Sequence, residues 1–177
     1  MALTSVDILK IRLTSCRLLL RPVLLKFKRE IFREFTDEIT TYMYPSTPEY
    51  IEETEEFIEN SIAHMKQGTE LVVAILNKKT KEFLGCGGIH KINTPHPELG
   101  IWIKKSAHGH GYGREAVATL KRWADAHLQH EYCVYPVSIQ NTASRKIVES
   151  LGGTVARKMN KKKAGGRVLQ EVEYRMY

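Results

Sequence analysis

No run of this 177-residue chain reaches the ~20 apolar residues that a membrane-spanning helix requires, so no such helix is expected. Residues 1–12 have no uninterrupted apolar core and no clear cleavage site, which argues against a secretory signal peptide. Cysteine is scarce. Cys16, Cys86 and Cys133 are odd in number and far apart, which suits a reducing cytoplasm and matches no zinc or redox spacing. Each reads as a small buried hydrophobe rather than a nucleophile. The seven histidines are scattered and form no His-Glu-x-x-His helix, so no metal site is expected. The chain also lacks an internal repeat and any long linker, and residues 1–177 read as a single domain.

What is present is the composition of a folded soluble protein. Hydrophobic content of 42% against 27% charged is enough to build a core and excludes wholesale disorder. The net charge of +7 has two local sources. One is 157–167, with Lys158, Lys161, Lys162, Lys163 and a Gly165-Gly166 turn; the other is the amino-terminal third, with Arg12, Arg17, Arg21, Lys26, Lys28, Arg29 and Arg33. Such charge could serve an acidic partner such as ribosomal RNA. A generally basic surface that favours a polyanionic cofactor accounts for it equally. No zinc finger or RNA-binding aromatic pair accompanies it, so direct nucleic-acid binding is not expected.

The most informative stretch is Ala107-His108-Gly109-His110-Gly111-Tyr112-Gly113, which runs into Arg114-Glu115-Ala116 and a helical pattern. A strand-like segment at 98–104 precedes it. Strand, glycine turn and helix together make a phosphate pocket, because glycine lets the chain turn closely and the first helical N–H groups face an anion. A P-loop is excluded by the missing Lys-Ser/Thr after the glycines. A Rossmann fingerprint normally opens the first βαβ unit, whereas this turn follows several strands.

Periodicity orders the remaining elements. The apolar run at 17–22 reads as a strand, and Leu24, Phe27, Ile31 and Phe35 mark a helix over 24–36. Thr47 is positioned to cap a helix that begins at Pro48 and stops at Gly68. Strands follow at 69–76 and 82–91, the second carrying glycines at 85, 87 and 88, which suggest a bulge, a close chain approach or simple twist. After the strand at 98–104 come a helix over 111–129, a strand at 132–137, a helix over 141–150 ended by Gly152-Gly153, and strands at 154–158 and 168–174. The expected fold is α/β (α+β), a mixed sheet with helices on both faces.

This order resembles the GNAT superfamily of N-acetyltransferases, and within it the RimJ/RimL branch that modifies ribosomal-protein amino termini. The likeness rests on Glu98-Leu99-Gly100-Ile101-Trp102-Ile103, on 108–113 with Glu115-Ala116, and on Asn141-Thr142-Ala143-Ser144 with Leu151-Gly152-Gly153. Arg17-Leu18-Leu19-Leu20-Arg21-Pro22 also looks like that branch. The resemblance implies the GNAT acyl-CoA N-acyltransferase fold, with a mostly antiparallel central sheet, and acetyl-CoA as cosubstrate. The glycine turn would carry the pyrophosphate through His108, Gly109, His110, Gly111, Tyr112, Gly113 and Arg114. His108 replaces the usual leading Gln or Arg, a change that backbone binding tolerates. His108 and His110 could titrate near neutrality, but their place at a helix N-terminus favours phosphate proximity. Arg114, Lys104 or Lys105 could reach the 3′-phosphate.

Acetyl transfer needs a neutral amine, a polarised carbonyl, a stabilised oxyanion and a protonated thiolate. The resemblance assigns Glu98 to accept the amine proton, directly or through water. Partial burial there would raise its pKa. Ser144 would protonate or hydrogen-bond the departing sulfur, and Asn141 would hold the pantetheine arm or cap the helix. Backbone N–H groups around Ile101, Trp102 and Ile103 would polarise the carbonyl, with Trp102 lining a cleft or packing in the core. The acceptor would enter near Tyr42-Met43-Tyr44 and Asn93-Thr94-Pro95. Glu49, Glu52, Glu53, Glu55, Glu56 and Glu59, uninterrupted by Lys or Arg, either attract a cationic acceptor or form a solvated helix face. A ribosomal-protein or peptide amino terminus, a polyamine and an aminoglycoside all fit. A homodimer is compatible with the pattern. The competing readings are a CoA-binding regulator without turnover and a basic nucleic-acid- or ribosome-binding protein.

Overall fold

The computed structural model describes residues 8–163, 166 and 168–177. Residues 1–7 of the stretch read for a leader, and Gly165 and Arg167 of the basic loop, lie outside them. The strands are β1 (Leu13–Thr14), β2 (Leu18–Pro22), β3 (Glu70–Asn77), β4 (Phe83–His90), β5 (Glu98–Ile103), β6 (Cys133–Ser138), β7 (Thr154–Lys162) and β8 (Val168–Met176). They form one sheet in the order β1-β2-β3-β4-β5-β6-β8-β7. Every pairing is antiparallel except β5 with β6. That parallel pair is registered only at Glu98 and Val134, so the two strands diverge beyond it.

The helices are α1 (Lys28–Glu34), α2 (Asp37–Thr40), α3 (Ile51–Lys66), α4 (Tyr112–His127) and α5 (Thr142–Ser150). They cover both faces, as the pleat requires. Gly87 faces α4, where an added Cβ would stand 3.2 Å from Leu120 Cδ1. Its neighbours Cys86 and Gly88 point to the opposite face by the alternation of the strand. On that face Phe35 and Phe83 pack on Trp102, with ring centroids 4.9 and 5.8 Å away. Among the described residues no helix is long and apolar enough to cross a membrane.

Two sequence expectations need correction. Thr47 does not cap the second long helix, which begins at Ile51 rather than Pro48. Glu53 reaches back to the N–H groups of Glu49 and Tyr50, 3.1 Å each, and takes the capping role from within the first turn. The Thr47 hydroxyl bonds instead to that of Thr40 at 2.9 Å. The last two strands run four and two residues longer than the pattern suggested, because β7 is the exposed sheet edge and its mixed polar sequence shows no alternation. The glycine run in β4 marks a close approach. A Cβ at Gly85 would lie 2.1 Å from the Trp102 carbonyl oxygen, and the β3–β4 register shifts opposite it, between Ile75 and Leu76.

Candidate active site

The divergence of β5 from β6 opens a cleft of about 760 Å³. Its floor is the face of β4 and β5, its far wall is β6 with the start of α5, and its rim carries Tyr42, Tyr44 and Phe57, all exposed. Glu98, Ile101, Trp102, Asn141 and Ser144 line it. Of the two loops expected at the acceptor entrance, Tyr42-Met43-Tyr44 borders the cleft and Asn93-Thr94-Pro95 does not. Ile103 is buried and, like 108–114, lies outside the lining.

The glycine turn sits behind this cleft. Gly109 and Gly111 have φ of +79° and +76°, a region that glycine enters without strain. Gly111 caps α4, and Gly113 fits against Ile101 and Ile147, whose Cδ1 atoms would stand 3.2 and 2.9 Å from an added Cβ. Among the described residues, the backbone N–H groups of 109–114 have no protein acceptor. They form an open row of donors at the positive end of a sixteen-residue helix, the arrangement that holds an anion.

Three side chains brace this turn, and two were not legible from sequence. Arg17 donates to the His110 carbonyl at 2.9 Å and lies over the Tyr112 ring, 4.7 Å from its centroid. Glu115 accepts from Ser15 Oγ at 2.6 Å and from the Arg17 N–H and Nε at 2.7 Å each. Burial raises the Glu115 carboxyl, but these hydrogen bonds outweigh it and hold the pKa below the ordinary value. His108 donates Nε2–H to the Ile103 carbonyl at 2.7 Å, locking the turn to the end of β5. Arg114 is tied to Ser150 Oγ at 2.9 Å. Lys104 and Lys105 pair with Glu82 and Glu38.

On the far wall, Asn141 caps α5 by accepting from the Ser144 N–H at 3.1 Å. That cap turns the Ser144 hydroxyl toward β6, where Tyr135 Oη lies 2.9 Å away. Tyr135 is 2% exposed. Burial pushes its phenol above the ordinary range, only partly opposed by the Ser144 hydrogen bond, so it stays protonated. This partner for Ser144 is invisible in the sequence, since it requires β6 and α5 to be packed together.

On the floor, Glu98 is partly occupied: its Oε2 lies 3.0 Å from Lys91 Nζ. Cys86 is buried in the lining and its thiol is pushed far up by desolvation, which keeps it inert. Glu171 on β8 is only 6% exposed, and its Oε2 has no partner among the described residues. Burial raises its pKa, Lys161 opposes this and Glu98 adds to it. A carboxyl raised in the fold stabilises fully below its unfolded pKa and loses that contribution as pH rises through the folded value. Glu171→Gln is therefore expected to raise Tm by about 2 °C or more near pH 8 and to leave it unchanged near pH 4. Equal shifts at both pH values in scanning calorimetry would contradict this assignment.

Asp125, His130 and Cys133 bring three potential metal-ligand atoms within 4.8 Å of one another, a grouping that sequence spacing did not suggest. Lys121 Nζ lies 2.5 Å from Asp125 Oδ1 and His130 Nε2 lies 3.0 Å from the same oxygen, so the group is already joined by ion pairs and hydrogen bonds.

A family model described as an acetyltransferase (GNAT) domain matches residues 17–154. No curated protein matches the sequence. Among solved structures, Mycobacterium smegmatis RimJ in complex with CoA-disulfide is 18% identical, with a TM-score of 0.83 over 94% of this chain and 87% of that one. RimL, a ribosomal L7/L12 alpha-N-protein acetyltransferase solved without ligand, is 17% identical, with a TM-score of 0.81 over 93% of each chain. Vibrio cholerae spermidine N-acetyltransferase, in complex with CoA and spermine, is 18% identical, with a TM-score of 0.79 over 92% and 96%. At these identities the likeness carries the fold.

Proposed function

The chain belongs to the acetyltransferase (GNAT) domain family, and we propose that it moves an acetyl group from acetyl-CoA to a primary amine by direct attack on the thioester. The observation that carries this reading is the Tyr135–Ser144 pair, hydrogen-bonded at 2.9 Å on the wall of a cleft between two diverging strands. The open N–H row at 109–114 fits a pyrophosphate, and the absence of side chains at Gly109 and Gly111 lets the backbone approach it. Bound acetyl-CoA supplies the activated acetyl group. The backbone of Ile101 and Trp102, which line the cleft where the splay frees β5 from β6, would polarise its carbonyl.

Ser144 is the proton donor for the departing sulfur in this scheme, with the buried Tyr135 phenol replenishing it. Asn141 holds the helix end that aims Ser144. Glu98 lies on the acceptor side and can draw in an ammonium or take its proton directly or through water, sharing its carboxylate with Lys91. No covalent enzyme intermediate is required, because holding both substrates in one cleft supplies much of the rate. The whole chain acts as one catalytic domain in this reading. A cytoplasmic setting is in keeping with free cysteines at 16, 86 and 133.

The exposed rim of Tyr42, Tyr44 and Phe57 suits an extended or aliphatic amine, either a peptide amino terminus or a polyamine. RimL acts on a ribosomal protein's alpha-amine and the spermidine enzyme on a polyamine, and this cleft is compatible with both classes. Thiol release from acetyl-CoA in the presence of Ser-initiated peptides, spermidine, aminoglycosides and amino acids tests the proposal. Turnover with one class is the expected result. Acetyl-CoA binding with no turnover on any amine would point instead to a CoA-binding regulator.

A further inference from the structure

The cleft contains an ionisable pair that the scheme above leaves unused. His90 ends β4, and its cross-strand partners are Glu70 on β3 and Glu98 on β5. Directly paired residues share one face of the sheet, so all three side chains stand on the cleft side. Glu70 Oε1 lies 3.1 Å from His90 Nδ1, and its second oxygen lies 3.5 Å from His64 Nδ1. The His90 hydrogen bond, opposed by burial and assisted by the charges of both histidines, holds the Glu70 carboxyl below the ordinary carboxylate range. An ionised carboxylate only accepts, so Nδ1 carries the proton and the lone pair is left on Nε2.

Where that lone pair lies is set by glycines. His90 Nε2 stands 3.3 Å from the point where a Cβ on Gly88 would be. Gly88 is paired with Gly100, whose own Cβ position has no atom within 4 Å. Two cross-strand glycines thus leave a bare patch on the cleft floor, and the imidazole overhangs it. Both glycines, His90 and Glu70 line the cleft. A nucleophilic nitrogen resting over the patch would come within reach of Nε2. Glu98, the alternative base, is already held by Lys91 at 3.0 Å.

We propose that His90 Nε2 is the general base for the acceptor amine and that Glu70 is its positioning residue. This rests on the transferase reading. His90 removes one proton from the ammonium and passes it to water. The neutral nitrogen attacks the thioester carbon, a C–N bond forms and the C–S bond breaks. The thiolate is protonated from Ser144, backed by Tyr135, and the second nitrogen proton, lost as the amide forms, passes through water to restore that pair. The products are the N-acetyl amine, CoA thiol and one released proton. The charged groups around His90 are Glu70 on β3, His64 on α3, Glu98 on β5, Lys91 in the following turn, and Lys161 and Glu171 on β7 and β8.

The test is kcat against pH for wild type, His90→Gln, Glu70→Gln and Glu98→Gln. The acceptor is spermidine or a Ser-initiated peptide, whichever turns over, and calorimetric Kd for acetyl-CoA is measured alongside. His90→Gln should lower kcat about 100-fold, keep the Kd within about threefold and abolish the acidic limb of the profile. Glu70→Gln should lower kcat about fivefold, since the imidazole loses the carboxylate at 3.1 Å that fixes its Nδ1–H tautomer. Glu98→Gln should reduce turnover but retain the limb. Nitrogen NMR of the ligand-free protein should show His90 as the Nδ1–H tautomer, with that preference lost in Glu70→Gln. The His90 side chain is half-exposed, so its variant should fold, and Tm checks this. A His90→Gln enzyme within threefold of wild type, or one that keeps the acidic limb, overturns the base assignment alone. Wild type that neither binds acetyl-CoA nor turns over removes the transferase reading and the base with it.

Discussion

Replacing Ser144 by alanine is expected to lower kcat roughly 100-fold while leaving the Kd for acetyl-CoA within about threefold. The size follows from general-acid catalysis, where losing a positioned proton donor costs about 10²-fold or more, equivalent to about 2.7 kcal/mol of barrier. The selectivity follows from geometry. The Asn141 cap uses the Ser144 backbone N–H, which alanine retains, so α5 keeps its start. The side-chain loss leaves Tyr135 Oη without the partner it has at 2.9 Å, buried and protonated. Tyr135→Phe should cost less, about tenfold, because Ser144 remains to meet the sulfur. Single-turnover kinetics separate these effects from product release. A Ser144→Ala enzyme that raises KM without lowering kcat would show that the hydroxyl only binds.

The largest stability effect is expected at Gly85, not at the glycine turn. A Cβ there would lie 2.1 Å from the Trp102 carbonyl oxygen and 2.9 Å from Ile103 Cα, both backbone atoms that no side-chain rotation can clear. β4 and β5 would have to separate where Gly85 pairs with Ile103 and where the Lys104 N–H donates to the Leu84 carbonyl at 2.7 Å. Gly85→Ala should cost about 3 kcal/mol or more, lowering Tm by roughly 6–12 °C. Gly100→Ala is the control on the neighbouring strand. Its Cβ would enter open space, and Tm should move by no more than about 2 °C. Thermal unfolding of both variants tests the pair. Gly85→Ala melting with wild type would mean that the two strands do not approach as closely as described.

Much of this architecture is written locally. The alternating glycines before a helical pattern, the apolar strand at residues 18–22 and the Asn141-x-x-Ser144 spacing each specify an element or its cap within a few residues, and each appears where expected. What was hidden depends on contacts between distant segments. Arg17 and Glu115 are 98 residues apart, and only the folded sheet brings the strand start to the helix start. Tyr135 meets Ser144 because a strand and a helix pack side by side, and Glu70 meets His90 because β3 and β4 adopt one register. A slip of one residue would put those side chains on opposite faces. The misplaced cap at Thr47 has the same lesson on a smaller scale, since the better acceptor, Glu53, lay inside the helix it caps. The exposed aromatic rim of Tyr42, Tyr44 and Phe57 is likewise assembled from separate segments, which residue spacing does not encode.

In the proposed transferase the glycine turn and the splayed strands together hold acetyl-CoA. Calorimetric titration with acetyl-CoA, run beside S-acetylpantetheine, tests it most directly, because the smaller thioester has the same acetyl arm without the pyrophosphate. Saturable one-site binding of acetyl-CoA, with S-acetylpantetheine at least about tenfold weaker, is the predicted result, since the open amides of 109–114 meet only the phosphates. Equal affinity for the two would remove the anion site from the glycine turn, and no binding of acetyl-CoA would mean that this protein is not an acetyl-CoA-dependent transferase.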